Sequence, residues 1–172
     1  SKFLVEALPF EISSLNFHDI RGNILTRLKK LEDSEFDGLV IAKAALDRLL
    51  IAETKAVSEI GSFKQNLEKF MWMVVPCSQN PCAPGQGALA IEVKSGNKKV
   101  IELLNKINNL DVFEDVQEER EKLKKYGGGC HQKIGVSIEN HPLGKVITEK
   151  GLTPKNKIID KRTFSPTNTE LL

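Results

Sequence analysis

A cysteine stands directly after three consecutive glycines in KLKKYGGGCHQKIGV, residues 122–136. A nucleophilic cysteine is normally activated by a helix N-terminus, a histidine or a metal, whereas Cys130 follows the C-terminal end of a predicted helix, where the dipole disfavours a thiolate. The adjacent His131 is a poor partner because neighbouring side chains usually diverge. Three glycines cost entropy on folding, which suits a flexible attachment point better than a buried thiol. A half-buried structural cysteine is the simpler alternative on this loop alone.

Arginines form the second group that could do chemistry. Arg21-Gly22-Asn23 lies where a predicted strand turns into a helix, so the first helical amides and the positive end of the helix dipole face the same solvent as Arg21. Arg27 lies one turn inside this helix, and Arg48 lies on the next helix, so these side chains could converge at the carboxyl edge of a sheet. The pattern predicts an anion site. The alternative, that arginines only solvate helix surfaces, is the simpler interpretation of Arg27 and Arg48 taken singly.

A glycine-containing loop, APGQGALAIEV at residues 83–93, precedes a predicted strand. A phosphate-binding loop would instead follow a strand, open a helix and usually carry Gly-Lys-Ser or Gly-Lys-Thr. We therefore interpret this loop as a tight turn that needs positive backbone angles at Gly85 and Gly87, and not as a nucleotide site.

The spacing of apolar residues places these groups on secondary-structure elements. Helices are predicted at residues 24–34, 43–53, 97–107 and 112–126, with Asn23 as an N-cap and Gly127 as a helix stop. Strands are predicted at 15–20, 36–42 and 88–93, and further strand-like pieces at 133–139, 144–151 and 156–163. Alternating strands and helices in the first part predict parallel pairing, whereas the last three pieces predict a small antiparallel sheet.

Composition excludes several classes of protein. The 172 residues include 25 basic and 23 acidic ones, a balance that argues against a general nucleic-acid or membrane-binding surface. No apolar run approaches the roughly 20 residues of a membrane span. Cys77, Cys82 and Cys130 form neither an even disulfide framework nor a Cys-x-x-Cys zinc pair, so reduced thiols are predicted. The three histidines, His18, His131 and His141, are too scattered in the sequence to form a set of metal ligands. We expect a soluble, intracellular protein without metal.

Three stretches together resemble the second half of the porphobilinogen deaminase, or hydroxymethylbilane synthase, family. They are IRGNILTRLKKLEDSEFDGLVIAKAALDRL, PCAPGQGALAIEV and EREKLKKYGGGCHQKIGV, in the family's order and at compatible spacings over about residues 19–136. The resemblance implies an α/β portion of a second domain plus a small α+β C-terminal domain, an antiparallel sheet with helices on one face. It assigns residues 1–76 to domain 2, 77–94 to a return segment of domain 1 type, and 95–172 to a cofactor-anchoring domain 3.

The resemblance also implies a function in tetrapyrrole (haem) biosynthesis. The family's enzymes are cytoplasmic transferases that condense four porphobilinogen molecules to hydroxymethylbilane and release ammonia. The resemblance further implies a monomer with no nucleic-acid or membrane partner. Cys130 would hold the dipyrromethane cofactor by a thioether, and Arg21, Arg27 and Arg48 would bind substrate carboxylates. The residues implied to contact the cofactor non-covalently are Arg21, Arg27, Gly85, Gln86, Gly87 and Ala88.

The chain departs from the family pattern in several places. The family's catalytic aspartate belongs to an N-terminal domain without a counterpart here, so no catalytic residue is predicted in this chain, which we expect to be an inactive fragment on its own. The serine-x-arginine-arginine segment is missing before Arg21. His131, Gln132 and Lys133 stand where the family usually has glutamine, a small apolar residue and proline. Two alternatives are a non-enzymatic anion-binding module with an inert Cys130 and a partner subunit that needs an upstream chain.

Overall fold

Five α-helices and one three-stranded antiparallel sheet make up the regular structure of the described residues, which confirms an α+β fold. The structure is a computed structural model and describes residues 6, 8–9, 11–12, 14–53, 61–129 and 132–166. The chain divides into two units, one of residues 12–74 and the other of residues 1–11 and 75–172. No finding tests the three-part division at residues 76 and 94, which stays a prediction.

The unit of residues 12–74 contains the helices α1 (Ile24–Glu32), α2 (Lys43–Glu53) and α3 (Gly61–Glu68). The predictions for α1 and α2 are confirmed, although α1 ends at Glu32, two residues early, because Ser34 adopts a positive φ of 59°. Sequence reasoning missed α3, whose eight residues are too few to show a clear helical period. Leu28 of α1 and Phe63 of α3 are buried.

Three predicted strands are not strands in the described structure. Residues 15–20, 36–42 and 88–93 carry no ladder hydrogen bonds, so the predicted parallel pairing is wrong for these segments. A strand exists only through hydrogen bonds to a neighbouring strand, and the described residues supply no such neighbour. Apolar side chains of the last segment are consequently exposed, with Leu89 at 96% and Ile91 at 62% of full exposure.

In the second unit, asparagine caps begin both helices, α4 (Lys98–Asn105) and α5 (Leu110–Lys124). The Asn97 side chain accepts from the Val100 amide at 3.3 Å, and Asn109 accepts from the Val112 amide at 3.1 Å. These helices confirm the predictions to within two residues at each end.

A glycine ends α5, as predicted. Gly127 has a φ of +103°, its amide donates to the Lys124 carbonyl at 3.0 Å, and the Gly128 amide donates to the Leu123 carbonyl at 3.2 Å. This pair of bonds is the Schellman arrangement, which satisfies carbonyls that the end of a helix leaves without partners.

The C-terminal sheet consists of β1 (Lys133–His141), β2 (Gly144–Leu152) and β3 (Ile158–Pro166), in the order β1-β2-β3 and antiparallel throughout. It confirms the predicted small antiparallel sheet. Its core cluster is packed by Leu123 of α5 and by Tyr126, two residues after the end of that helix. The buried members of the cluster are Ile134, Val136, Ile147 and Ile159.

Candidate functional site

The start of α1 has the local geometry of an anion site. Gly22 adopts a φ of +113°, and a Cβ there would lie 2.9 Å from Thr26 Cγ2, so only glycine fits this turn. The Asn23 side chain accepts from the Thr26 amide at 2.8 Å, which confirms the predicted N-cap. The first helical amides, Ile24 and Leu25, have no intrahelical partner and lie at the positive end of the helix dipole.

Arg27 contacts the backbone beside Arg21 at this helix start. Arg27 Nε donates to the Gly22 carbonyl at 2.8 Å, which folds its guanidinium back toward the loop that carries Arg21. Arg21 and Arg48 are exposed, and neither side chain has a hydrogen bond or ion pair within the described part of the chain. Arg48 lies on α2, and no bond among the described residues joins it to α1. Its participation in the site stays a prediction.

The segment of residues 83–88 forms a tight turn in the other unit. Gly85 and Gly87 have φ values of +74° and +92°, which confirms the predicted positive angles. The Gln86 amide donates to the Ala83 carbonyl at 3.0 Å, and the Ala88 amide to the Gly85 carbonyl at 3.3 Å. A Cβ at Gly87 would meet nothing within 4 Å, so the backbone at this position is open to a ligand.

A glutamate of α5 holds this turn in place. Glu119 Oε2 accepts from the Gly85 amide at 2.7 Å, and a Cβ at Gly85 would lie 3.3 Å from Val116 Cγ1 of the same helix. Burial raises the pKa of Glu119, while hydrogen bonds from the Gly85 and Ile138 amides oppose the rise. Sequence reasoning missed Glu119, because it lies in a run of charged residues and 34 positions from Gly85.

Residues 77–82 run along the free edge of β1. The Val136 amide donates to the Cys82 carbonyl at 2.9 Å, and Ser137 Oγ donates to the Cys77 carbonyl at 3.4 Å. A Cβ at Gly135 would lie 2.0 Å from the Pro81 carbonyl oxygen, so this close approach requires glycine. The segment therefore covers part of an edge strand that would otherwise expose unpaired backbone groups.

The glycine loop starts from a fixed helix end. Tyr126 OH donates to Oε2 of the buried Glu149 at 2.8 Å, and burial, together with this carboxylate, raises the pKa of Tyr126 to about 12. Gly127, Gly128 and Gly129 all have positive φ values. Cys130 and His131 lie outside the described residues, so the attachment role of Cys130 stays a prediction.

The residues that the structure describes contain no group of three or more His, Cys, Asp or Glu side chains that could hold a metal ion. No helix among them is long and apolar enough to cross a membrane.

Residues 6–102, more than half of the chain, match the family model described as porphobilinogen deaminase, dipyromethane cofactor binding domain. The chain belongs to the porphobilinogen deaminase family. Arg21, Arg27, Arg48 and the turn at 85–88 lie within the matched residues, whereas Cys130 lies beyond them.

Individual porphobilinogen deaminases support this membership. That of Prochlorococcus marinus (strain MIT 9215) is 34% identical over 160 residues, which cover 92% of this chain and 45% of the relative. That of strain MIT 9312 is 37% identical over 131 residues, or 75% of this chain and 36% of the relative. The porphobilinogen deaminase of Dictyostelium discoideum is 37% identical over 129 residues, or 74% and 35%. The chain thus spans less than half the length of these curated relatives.

Proposed function

We propose that this chain is part of a cytoplasmic, monomeric transferase of tetrapyrrole biosynthesis that condenses four porphobilinogen molecules to hydroxymethylbilane and releases ammonia. The observation that carries the proposal is the match of residues 6–102 to the cofactor-binding domain of porphobilinogen deaminase. The predicted anion site at the start of α1 lies within these residues and would bind the carboxylates of the cofactor. Nucleic acid and membranes have no part in this function.

The donors at α1 suit a ligand rich in carboxylates. Each pyrrole of the dipyrromethane carries an acetate and a propionate, and a planar guanidinium binds a carboxylate through two parallel hydrogen bonds. Arg21 has no competing partner among the described residues, and the free amides of the first helical turn add further donors. The residues present therefore fit this group.

The chain's own residues bind and orient rather than transfer protons. Arg21 and Arg27 hold cofactor carboxylates, and Arg48 joins them on substrate carboxylates. The turn of Gly85, Gln86, Gly87 and Ala88 offers open backbone, with Glu119 fixing its first amide. When bound, the dipyrromethane supplies the pyrrole to which each new unit is joined, and Cys130 holds it through a thioether. Proton transfer is assigned to an aspartate outside this chain, so the chain alone is inactive.

Intact mass of the full-length protein tests this function. We expect a mass excess of two linked pyrroles, its loss in Cys130→Ser, and its retention in Cys82→Ser, the matched control. Porphobilinogen consumption should follow the same pattern. A full-length protein without any adduct that still binds carboxylate ligands would favour the non-enzymatic anion-binding module instead.

A further inference from the structure

Two cysteines lie side by side against β1 at the start of the return segment. Cys77 and Cys82 are exposed free thiols, as predicted. Their carbonyl groups accept hydrogen bonds from consecutive residues of β1, Cys82 from the Val136 amide and Cys77 from the Ser137 hydroxyl. Because successive strand residues are only about 3.4 Å apart, these two bonds bring the cysteines together.

The chain between the two cysteines reverses direction in a tight turn. The Gln79 and Asn80 amides both donate to the Pro76 carbonyl at 2.9 Å. Gly135 allows the returning Pro81 backbone to lie directly against β1, where any side chain would collide with it. Burial, followed by the neighbouring Cys82 thiol, raises the pKa of Cys77. The pair is therefore formed by the fold and not by chance exposure of two side chains.

We propose that Cys77 and Cys82 form a reversible dithiol–disulfide pair that closes residues 77–82 into a loop on the edge of β1. The oxidant is a low-molecular-weight disulfide of the glutathione class. This pair has no part in the proposed condensation and does not depend on it. The closed loop would restrict the return segment just before the turn at residues 85–88.

The exchange balances in two steps. The Cys82 thiolate attacks one sulfur of the small disulfide, forms a mixed disulfide and releases one small thiolate. Cys77 then loses its proton to solvent and attacks the Cys82 sulfur, which expels the second small thiolate. Two electrons pass to the small disulfide, and the two cysteine protons end on the two released thiols.

Metal binding is a weaker use of the same thiols. A structural zinc site needs four ligands, usually cysteine and histidine, and the described residues supply no cluster of three candidate ligands. The exposure of both sulfurs instead suits exchange with a small reagent, because exposed disulfides are the labile ones.

Oxidised glutathione tests the proposal on the purified, reduced chain. Trypsin cleavage after Lys69 and Lys94 places both cysteines in the peptide 70–94, while Cys130 falls in the separate peptide 126–133. We expect peptide 70–94 to lose about 2 Da, the mass of two hydrogen atoms, and to resist alkylation until reduced. Cys77→Ser and Cys82→Ser should each carry one glutathione instead. Glutathione on both cysteines of the unmutated chain, or a bond from either to Cys130, would overturn the pairing.

A second variant tests whether β1 positions Cys77 and Cys82 for disulfide formation. Ser137→Ala removes the hydroxyl that binds the Cys77 carbonyl. We expect the equilibrium constant for disulfide formation, measured against graded ratios of oxidised to reduced glutathione, to fall between about 2- and 10-fold, the worth of one hydrogen bond. Ser165→Ala, on β3, is the matched control and should leave the constant unchanged. Equal constants in all three proteins would refute the role of β1.

Discussion

Buried polar side chains in this molecule differ in whether a partner satisfies them. Glu149 is buried and accepts from Tyr126 OH, whereas Thr148 Oγ1 is buried without a partner among the described residues. Leaving a buried group without its bond costs more than the bond itself contributes. Removal of the Tyr126 hydroxyl and removal of the Thr148 hydroxyl should therefore have different effects on stability.

Tyr126→Phe should therefore lower the free energy of unfolding by about 1–3 kcal/mol, because it leaves the Glu149 carboxylate short of a donor. Thr148→Val, the matched control, keeps the side-chain shape and should be neutral or stabilising. Urea unfolding followed by circular dichroism measures both. Equal destabilisation by the two changes would show that shape, and not hydrogen bonding, decides stability here.

Glu119 should make stability depend on pH. Its pKa is raised above its ordinary value of 4.5 in the folded chain, so the folded state binds more protons than the unfolded state just above that pH. The contribution of Glu119 to the free energy of unfolding then falls as the pH rises through this window. Glu119→Gln removes the titration, so its stability relative to the unmutated chain should increase from about pH 4.5 upward.

Urea unfolding at several pH values between about 4 and 7 measures this difference. Glu121→Gln, an exposed position on the same helix paired with Lys124, controls for the loss of one negative charge. If both variants gained stability in parallel, the net charge of α5 would be responsible and not the burial of Glu119.

Arg21→Glu should reduce porphobilinogen consumption by the full-length protein at least about tenfold, since a charge-assisted hydrogen bond is worth about 1.5–3 kcal/mol and repulsion replaces it. Lys155→Glu, in the exposed turn between β2 and β3, is the matched charge reversal. Equal activity of the Arg21 and Lys155 variants would remove Arg21 from the site.

At the scale of elements, the contact between the return segment and β1 depends on a missing side chain. Gly135→Ala would place a Cβ 2.0 Å from the Pro81 carbonyl oxygen, so one of the two backbones must move. We expect faster exchange of the Val136 amide, which loses the Cys82 carbonyl, and a loss of about 1–3 kcal/mol in stability.

Gly96→Ala supplies the control for this prediction, since a Cβ there meets nothing within 4 Å. Hydrogen exchange followed by mass spectrometry measures both variants. Unchanged protection of β1 in Gly135→Ala would show that the edge strand does not need the return segment.

For the molecule as a whole, the proposed function gives the residues of this chain binding roles and no proton transfer. The purified chain should therefore form no bilane from porphobilinogen above the buffer rate, because general acid–base help contributes about 100- to 10,000-fold to the reaction rate.

Cys130 of the purified chain should carry no pyrrole adduct and should react with iodoacetamide at a rate that rises up to about pH 8.5, as an ordinary thiol does. Measurable bilane would contradict the first of these expectations, and a pyrrole adduct that is absent from Cys130→Ser would contradict the second.

Features that depend on a few neighbouring residues can be predicted from the sequence. Asn23 marks the start of α1, Gly127 marks the end of α5, and the strand-like pieces after residue 132 predict the antiparallel sheet. Caps, stops and hairpins form from contacts within a few positions. The order of three motifs also identified the family, which the match of residues 6–102 confirms.

Contacts between residues far apart in the chain could not be predicted in this way. The hydrogen bond of Glu119 to Gly85 spans 34 positions, and that of Ser137 to Cys77 spans 60. No local sequence pattern predicts either bond. The same dependence on distant partners explains why residues 88–93 have the composition of a strand without being one. Alternating apolar residues show what a segment can bury, but backbone hydrogen bonds from another segment decide whether it becomes a strand.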